Sequence, residues 1–140
     1  QCALGSNQIK KLDGFIKKRM EIAKIYDFEF KDLEFLEVPK YSDLINHSYH
    51  LYPLLVDFDK TNLSKIEFFK VMKQNGINLQ VHYIPVHLQP FYKNKYGFNK
   101  GDFKIAEQFY EKEISLPIYP DLNHKDASTV AKLIKKICKI

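Results

Sequence analysis

Apolar residues recur at helical spacing near the start of the chain. Ile9, Leu12 and Ile16 fall on one side of a helix, and lysines occupy most of the other positions. We therefore predict one long amphipathic helix over residues 6–30. Gly14 weakens such a helix by about 1 kcal/mol relative to alanine, but it need not end it.

The middle of the chain predicts a strand followed by a helix. Residues 51–58 are an apolar run typical of a strand, with Pro53 best placed at its start or on an edge. Ser64 and Glu67 have the spacing of a capping box, which predicts the start of a helix. Gly76 is suited to the left-handed position that ends a helix, so we expect this one to stop there.

Strict alternation of apolar and polar residues follows over residues 77–83 and predicts a half-buried strand. This parity puts His82 on the polar face with Gln80, and it turns Tyr83 toward the apolar side. Two prolines come next, Pro85 and Pro90, and they must take the chain out of the sheet as a stiff loop.

The last third of the chain predicts helix, strand and helix. Asp102 can cap a helix that carries apolar residues such as Ile105, residues 114–117 form a short strand, and a final helix begins near Asn123. The alternating order of helices and strands predicts an α/β (α+β) fold. We expect a small antiparallel or mixed sheet flanked by helices.

Composition narrows the class of protein. A chain of 140 residues with 45% hydrophobic residues can build one ordinary core. The net charge of +5 raises the question of nucleic acid, but the basic residues lie on helical segments without an interleaved aromatic platform, which disfavours it. Cys2 and Cys138 form no disulfide framework, and no segment is apolar enough for a membrane helix. These features predict a cytoplasmic protein.

Several kinds of catalytic or metal site find no support in the sequence. His82 with His87, or His47 with His50, could bind a metal ion, but neither pair has a third ligand at a zinc-binding spacing. Motifs of serine hydrolases, nucleotide-binding loops and zinc proteases do not occur. We therefore predict no metal site, and we expect both cysteines to be structural thiols.

Residues 82–92 concentrate candidate chemistry where the predicted strand ends. The segment contains His82, Tyr83, His87 and Gln89, whose side chains all donate or accept hydrogen bonds. Rigid loops at strand ends often display binding groups. The alternative is that His82 and Tyr83 merely close a strand and that the aromatic residues further on cover the edge of the core.

Three segments carry a resemblance to a known family. Residues 3–13, followed by Arg19, resemble the helix that links the two domains of the DegT/DnrJ/EryC1/StrS sugar aminotransferases. Residues 82–92 resemble that family's small-domain loop, and residues 106–120 resemble its closing segment. The similarity is greatest to the branch that aminates UDP-linked 4-keto-6-deoxy-N-acetylhexosamines in the pathway to pseudaminic acid.

The resemblance implies a pyridoxal phosphate (PLP) transaminase of fold type I. In such enzymes a lysine of the large domain holds the cofactor, and glutamate usually supplies the amino group. The resemblance makes residues 1–30 the linking helix and residues 31–140 the C-terminal small domain. The large domain would lie upstream of Gln1, so we expect neither catalytic nor cofactor-binding residues in this chain and no PLP binding by it alone.

The resemblance also assigns substrate contacts. His82, Tyr83, His87 and Gln89 match loop positions near the nucleotide-sugar pocket, where imidazole and phenol groups suit pyrophosphate and sugar hydroxyls. The implied partners are the large domain of the same enzyme, a UDP-sugar and a second subunit in a homodimer. A self-standing small module that binds an anionic ligand remains the alternative from the residues alone.

Overall fold

The computed structural model of the chain describes residues 1–42 and 44–138. Three strands form one sheet, and helices flank it. The strands are β1 (Leu36–Glu37), β2 (Tyr52–Val56) and β3 (Glu113–Leu116). The helices are α1 (Cys2–Ile9), α2 (Leu12–Phe30), α3 (Lys65–Gln74), α4 (Pro90–Tyr96), α5 (Lys104–Lys112) and α6 (His124–Ile137).

The sheet is antiparallel throughout, in the order β1-β2-β3. This confirms the predicted fold class and specifies the pairing. Pro53 lies opposite Ser115 of β3, while β1 pairs only with Leu55 and Val56. On its other side Pro53 has no partner residue in β1. The missing N–H of the proline therefore removes no hydrogen bond between β1 and β2.

The core lies between the sheet and the helices α2 and α6. Tyr52, Leu54 and Val56 alternate along β2 and are fully buried. Tyr26 of α2 packs on Tyr52 with ring centroids 5.0 Å apart, and Ile134 of α6 joins the same cluster. Burial of an apolar side chain of this size stabilises the fold by about 1.5–3 kcal/mol, so these contacts fix the helices on the sheet.

Local signals in the sequence are confirmed where they govern helix ends. Ser64 and Glu67 form both bonds of the capping box at the start of α3. Gly76 follows that helix with a φ of +79°, the left-handed conformation that glycine adopts without strain. The side chain of Asn123 accepts the backbone N–H of Asp126 and caps α6.

The predicted single helix over residues 6–30 is wrong, because the chain forms two helices there. The first, α1, ends at Ile9, and the second begins at Leu12. No residue of α1 is buried. Most helical stability in proteins comes from packing of an apolar face. Because α1 buries no residue, no packing contact holds α1 and α2 together as one straight helix across Lys10 and Lys11.

The predicted strand over residues 77–83 reduces to a single bridge between Gln80 and Ser115. The N–H of His82, which would continue the ladder, instead donates to the side chain of Glu113 over 3.1 Å. Tyr83 is 74% exposed, so the expectation that it points inward is also wrong. A side chain has taken the backbone donor that strand pairing requires.

Asp102 does not cap α5. Phe103 occupies the cap position without a side-chain bond, while the Asp102 carboxylate accepts the N–H of Asn99 over 2.8 Å. The apolar residues of this helix lie on its exposed side. Ile105 is 85% exposed, and the buried residue is Glu107. Burial of a carboxylate requires partners, and these lie in the candidate site.

Candidate functional site

His82 is anchored to strand β3 by two contacts. Its N–H donates to Oε2 of Glu113, and its Nδ1 lies 2.8 Å from Oγ of Ser115. The Ser115 hydroxyl donates in turn to Oε1 of Glu113 over 2.5 Å. Because Glu113 and Ser115 are two residues apart on a strand, both side chains project from the same face of the sheet.

These two strand residues are buried, and sequence reasoning missed both. Glu113 is only 1% exposed. The signal that could have found it is a carboxylate at the start of an apolar strand, since an acid is rarely buried without partners. Burial lowers the pKa of the Lys65 ammonium group. The charges of Glu113 and Glu111 oppose that shift but do not cancel it.

A cleft of about 480 Å³ opens beside His82. We call it the His82 cleft. Its walls come from the residues before β2, from residues 78–83, and from the end of β3 with the turn beyond it. They are His50, Leu51, Asn78, Gln80, His82, Tyr83, Ser115, Leu116, Pro117, Ile118 and Tyr119. Imidazole, amide and phenol groups thus converge on one concave surface, which is typical of a site for a polar ligand.

Tyr83 lies at the rim of this cleft. Its ring meets that of His82 edge to face, with centroids 4.8 Å apart. Their contact with a substrate remains a prediction.

His87 occupies a different environment from His82. It is 7% exposed, and its Nε2 lies 2.8 Å from Oε1 of Glu107. The ring also packs on Phe103, with centroids 4.7 Å apart. His87 does not line the His82 cleft, and its contact with a substrate stays a prediction.

Glu107 is the centre of this second polar cluster. Its carboxylate accepts the N–H of Gly101 over 2.8 Å and that of Phe103 over 3.5 Å. The Gly101 bond, followed by the contact with His87, lowers the pKa of Glu107, although desolvation opposes this shift. The cluster ties α5 to the 3-10 turn Val86–Leu88.

Gln89 contributes to the shape of the loop. Its side-chain amide donates to the carbonyl of Ile84 over 3.4 Å, and its backbone forms the N-cap of α4. Pro90 follows at the first position of that helix, where its missing N–H breaks no bond. Gln89 does not line the His82 cleft, so the structure does not bring it to His82 and Tyr83.

An apolar groove of about 950 Å³ lies on the other side of Tyr83. We call it the apolar groove. It is formed by the loop after His82 and by the exposed face of α5. Its lining residues are Tyr83, Ile84, Pro85, Val86, Gly101, Asp102, Phe103, Lys104, Ile105, Ala106 and Phe109. Several exposed apolar side chains thus lie side by side here, which makes the groove a candidate contact region.

The other candidate residues have local explanations. The ring of His47 stacks on Tyr41 at 3.7 Å, and its Nδ1 accepts the N–H of Tyr49. Within residues 1–42 and 44–138, no three His, Cys, Asp or Glu side chains are grouped as a metal site would require. Burial raises the pKa of the Cys138 thiol to about 11, which makes it a poor nucleophile. None of the described helices is long and apolar enough to span a membrane.

Comparison with known proteins identifies the family. Residues 1–135 match the model of the DegT/DnrJ/EryC1/StrS aminotransferase family. An uncharacterised protein of Methanocaldococcus jannaschii is 44% identical over 137 residues, which cover 98% of this chain and 36% of that protein. The UDP-4-amino-4,6-dideoxy-N-acetyl-β-L-altrosamine transaminase of Campylobacter jejuni is 39% identical over 142 residues, covering 99% of this chain and 37% of that enzyme.

A solved structure agrees with the sequence comparison. The Helicobacter pylori aminotransferase PseC, described as involved in the biosynthesis of pseudoaminic acid, superposes with a TM-score of 0.86. The two sequences are 33% identical, and the match covers 98% of this chain and 36% of that structure. The chain thus spans a little over a third of the length of these relatives. It belongs to the DegT/DnrJ/EryC1/StrS aminotransferase family.

Proposed function

We propose that this chain is the C-terminal small domain of a PLP-dependent aminotransferase that acts on a nucleotide sugar. The observation that carries the proposal is the family match over residues 1–135, together with a polar cleft at the loop that includes His82 and Tyr83. The amino donor would be glutamate. The acceptor would be a UDP-linked 4-keto-6-deoxy-hexosamine, by similarity to the altrosamine transaminases.

The remainder of the enzyme would hold the cofactor. The family is PLP-dependent, and a PLP enzyme requires a lysine at the cofactor aldehyde. The lining of the His82 cleft contains no lysine. We propose that this lysine lies in the remainder of the enzyme and that the chain alone is inactive.

The part played by this chain would be substrate recognition. His82 and Tyr83 would form one wall of the nucleotide-sugar pocket, with the amide of Gln80 on the same surface. His87 and Gln89 would support that wall from behind, since their side chains bond within the chain. A pocket shared between two domains is a common arrangement for small-molecule sites.

The apolar groove supports the proposal of a missing partner. Ile84, Val86 and Ile105 are about half to largely exposed along it. Apolar side chains of this size gain about 1.5–3 kcal/mol each when they are buried. We propose that the large domain of the same enzyme, or a second subunit of its homodimer, covers this surface. The enzyme would be cytoplasmic and would serve surface-polysaccharide or flagellin-glycan biosynthesis. Neither a nucleic acid nor a membrane is a proposed partner.

Amino transfer by the complete natural polypeptide that carries this sequence tests the proposal. The assay would follow transfer from glutamate to a UDP-linked 4-keto-6-deoxy-N-acetylhexosamine, with the 140-residue chain alone as the comparison. We expect PLP-dependent product from the complete polypeptide and none from the chain alone. Borohydride reduction that fixes PLP on one defined lysine of the chain alone, together with amino transfer, would overturn the division of roles.

A further inference from the structure

The hydrogen bonds around His82 constrain which of its ring nitrogens carries the proton. The Ser115 hydroxyl has one hydrogen, and Oγ lies within bonding distance of both Glu113 Oε1 and His82 Nδ1. An ionised carboxylate can only accept hydrogen bonds. With Glu113 in that form, the serine must give its hydrogen to Glu113, and Oγ is left to accept from the ring.

Both carboxylate oxygens of Glu113 accept hydrogen bonds. The N–H of His82 donates to Oε2, and the Ser115 hydroxyl donates to Oε1. Donors that converge on a buried carboxylate stabilise its charge. The resulting chain of donors runs from the imidazole to the serine and from the serine to the carboxylate.

We infer that Glu113 and Ser115 are positioning residues that hold neutral His82 in the Nδ1–H tautomer. In that tautomer Nε2 carries a lone pair and accepts a hydrogen bond. Nε2 has no hydrogen-bond partner in residues 1–42 and 44–138, and the ring lines the His82 cleft. His82 therefore presents an acceptor to the ligand.

This assignment specifies the part of the ligand that His82 recognises. A lone pair binds a hydroxyl or an amide N–H, whereas a phosphate oxygen needs a donor. The identity of the ligand rests on the proposed function. For a nucleotide sugar, His82 would bind a sugar hydroxyl or the acetamido N–H rather than the pyrophosphate. The expectation that the imidazole donates to pyrophosphate is thereby replaced for neutral His82.

Nitrogen-15 NMR of the histidine-labelled chain tests the tautomer without any substrate. At about pH 8 an imidazole is ordinarily neutral, and its protonated and unprotonated nitrogens resonate far apart. We expect a roughly tenfold excess of the Nδ1–H form for His82, which is the bias that one hydrogen bond of ordinary net strength supplies. His124, whose Nε2 lies 3.4 Å from Oε2 of Glu21, should favour the opposite Nε2–H form and gives an internal comparison.

Three variants separate the effect of the hydrogen bonds from His82 to Ser115 and from Ser115 to Glu113 from a general effect on the fold. Ser115→Ala should bring the two tautomers to comparable populations, while Ser115→Thr, which keeps the hydroxyl, should preserve the Nδ1–H form. Glu113→Gln can turn its amide N–H toward Ser115, which frees the serine to donate to Nδ1, so the ratio should invert. A dominant Nε2–H form in the unmodified chain, or the same ratio in Ser115→Ala and Ser115→Thr, would overturn the inference.

A ligand arm uses UDP-N-acetylglucosamine as the probe, with the complete natural polypeptide. Binding should shift the Nε2 resonance of His82 and leave its Nδ1 proton in place. Transfer of the proton to Nε2 on binding would contradict the acceptor role. Because the tautomer is measured without a ligand, its failure is distinct from a failure of the proposed aminotransferase activity.

Discussion

Nε2 of His87 lies 2.8 Å from Oε1 of Glu107, and both side chains are buried. The contact joins the 3-10 turn Val86–Leu88 to α5, which begins well after it in the chain. Glu107 also accepts the N–H of Gly101, so one carboxylate organises two loops. The loop that presents His82 and Tyr83 is thus held from behind by its second histidine.

Substitution of Glu107 should destabilise the chain more than substitution of another acid on the same helix. Glu107→Ala leaves the N–H of Gly101 and the His87 ring without their acceptor, and unpaired buried groups are costly. Glu111→Ala removes an exposed pair with Lys100, and an exposed pair contributes little. Thermal unfolding should therefore show a clearly lower midpoint for Glu107→Ala. Equal midpoints would contradict the role of the cluster.

The lowered pKa of Glu107 predicts a specific dependence of stability on pH. Below pH 4.5, the ordinary pKa of a glutamate, Glu107 binds a proton in the unfolded chain but stays ionised in the folded chain. Folding therefore becomes less favourable as the pH falls. The contribution is complete above that pH and is lost as the pH falls through the folded pKa. Urea unfolding of the unmodified chain and of Glu107→Gln, compared from about pH 7 to about pH 3, should show the difference shrinking in acid. Parallel curves would contradict the assignment.

Tyr26 secures the turn that forms one wall of the His82 cleft. Its hydroxyl donates to the carbonyl of Pro117 over 2.8 Å from a fully buried position. Tyr26→Phe should lower the free energy of unfolding by about 1–3 kcal/mol, since it leaves that carbonyl without its donor. Tyr96→Phe, at an exposed ring, should change it by less than about 0.5 kcal/mol. Urea titrations would measure both free energies of unfolding, provided that the two variants unfold with the same slope. Equal midpoints for the two variants would contradict the role of the Tyr26 hydroxyl.

The apolar groove should make the isolated chain associate with itself. Ile105→Glu places a charge in the groove, so it should reduce association while changing the free energy of unfolding by less than about 0.5 kcal/mol. The matched control is Ile66→Glu, at an exposed position of α3 outside the groove. Sedimentation velocity over a range of concentrations would compare them. Equal association of the two variants would show that the groove is not the contact surface.

Sequence predicted the features that depend on neighbouring residues. The capping box of Ser64 and Glu67 and the left-handed Gly76 are set by local geometry, and both are confirmed. The fold class and the strands β2 and β3 also follow from local hydrophobic patterns. The similarity to the family is carried by short motifs, so it too was accessible from the sequence.

Features that depend on tertiary contacts were not accessible. Alternation over residues 77–83 predicts a strand, but the side chain of Glu113, far along the chain, takes the N–H of His82. The sequence predicts a helix with apolar residues such as Ile105, but it does not reveal that Ile105 is exposed and that Glu107 is the buried residue of that helix. In both cases a buried carboxylate decides the local structure, and its partners cannot be read from spacing.

The central claim is that His82 contacts the nucleotide sugar in a PLP-dependent aminotransferase. The most direct measurement is the steady-state kinetics of His82→Ala in the complete natural polypeptide, with the KM for the UDP-linked keto sugar and for glutamate determined separately. Loss of one hydrogen bond at the sugar should raise the KM for the keto sugar roughly tenfold and leave the KM for glutamate unchanged. An unchanged KM for the keto sugar, or an equal rise for both substrates, would contradict the account.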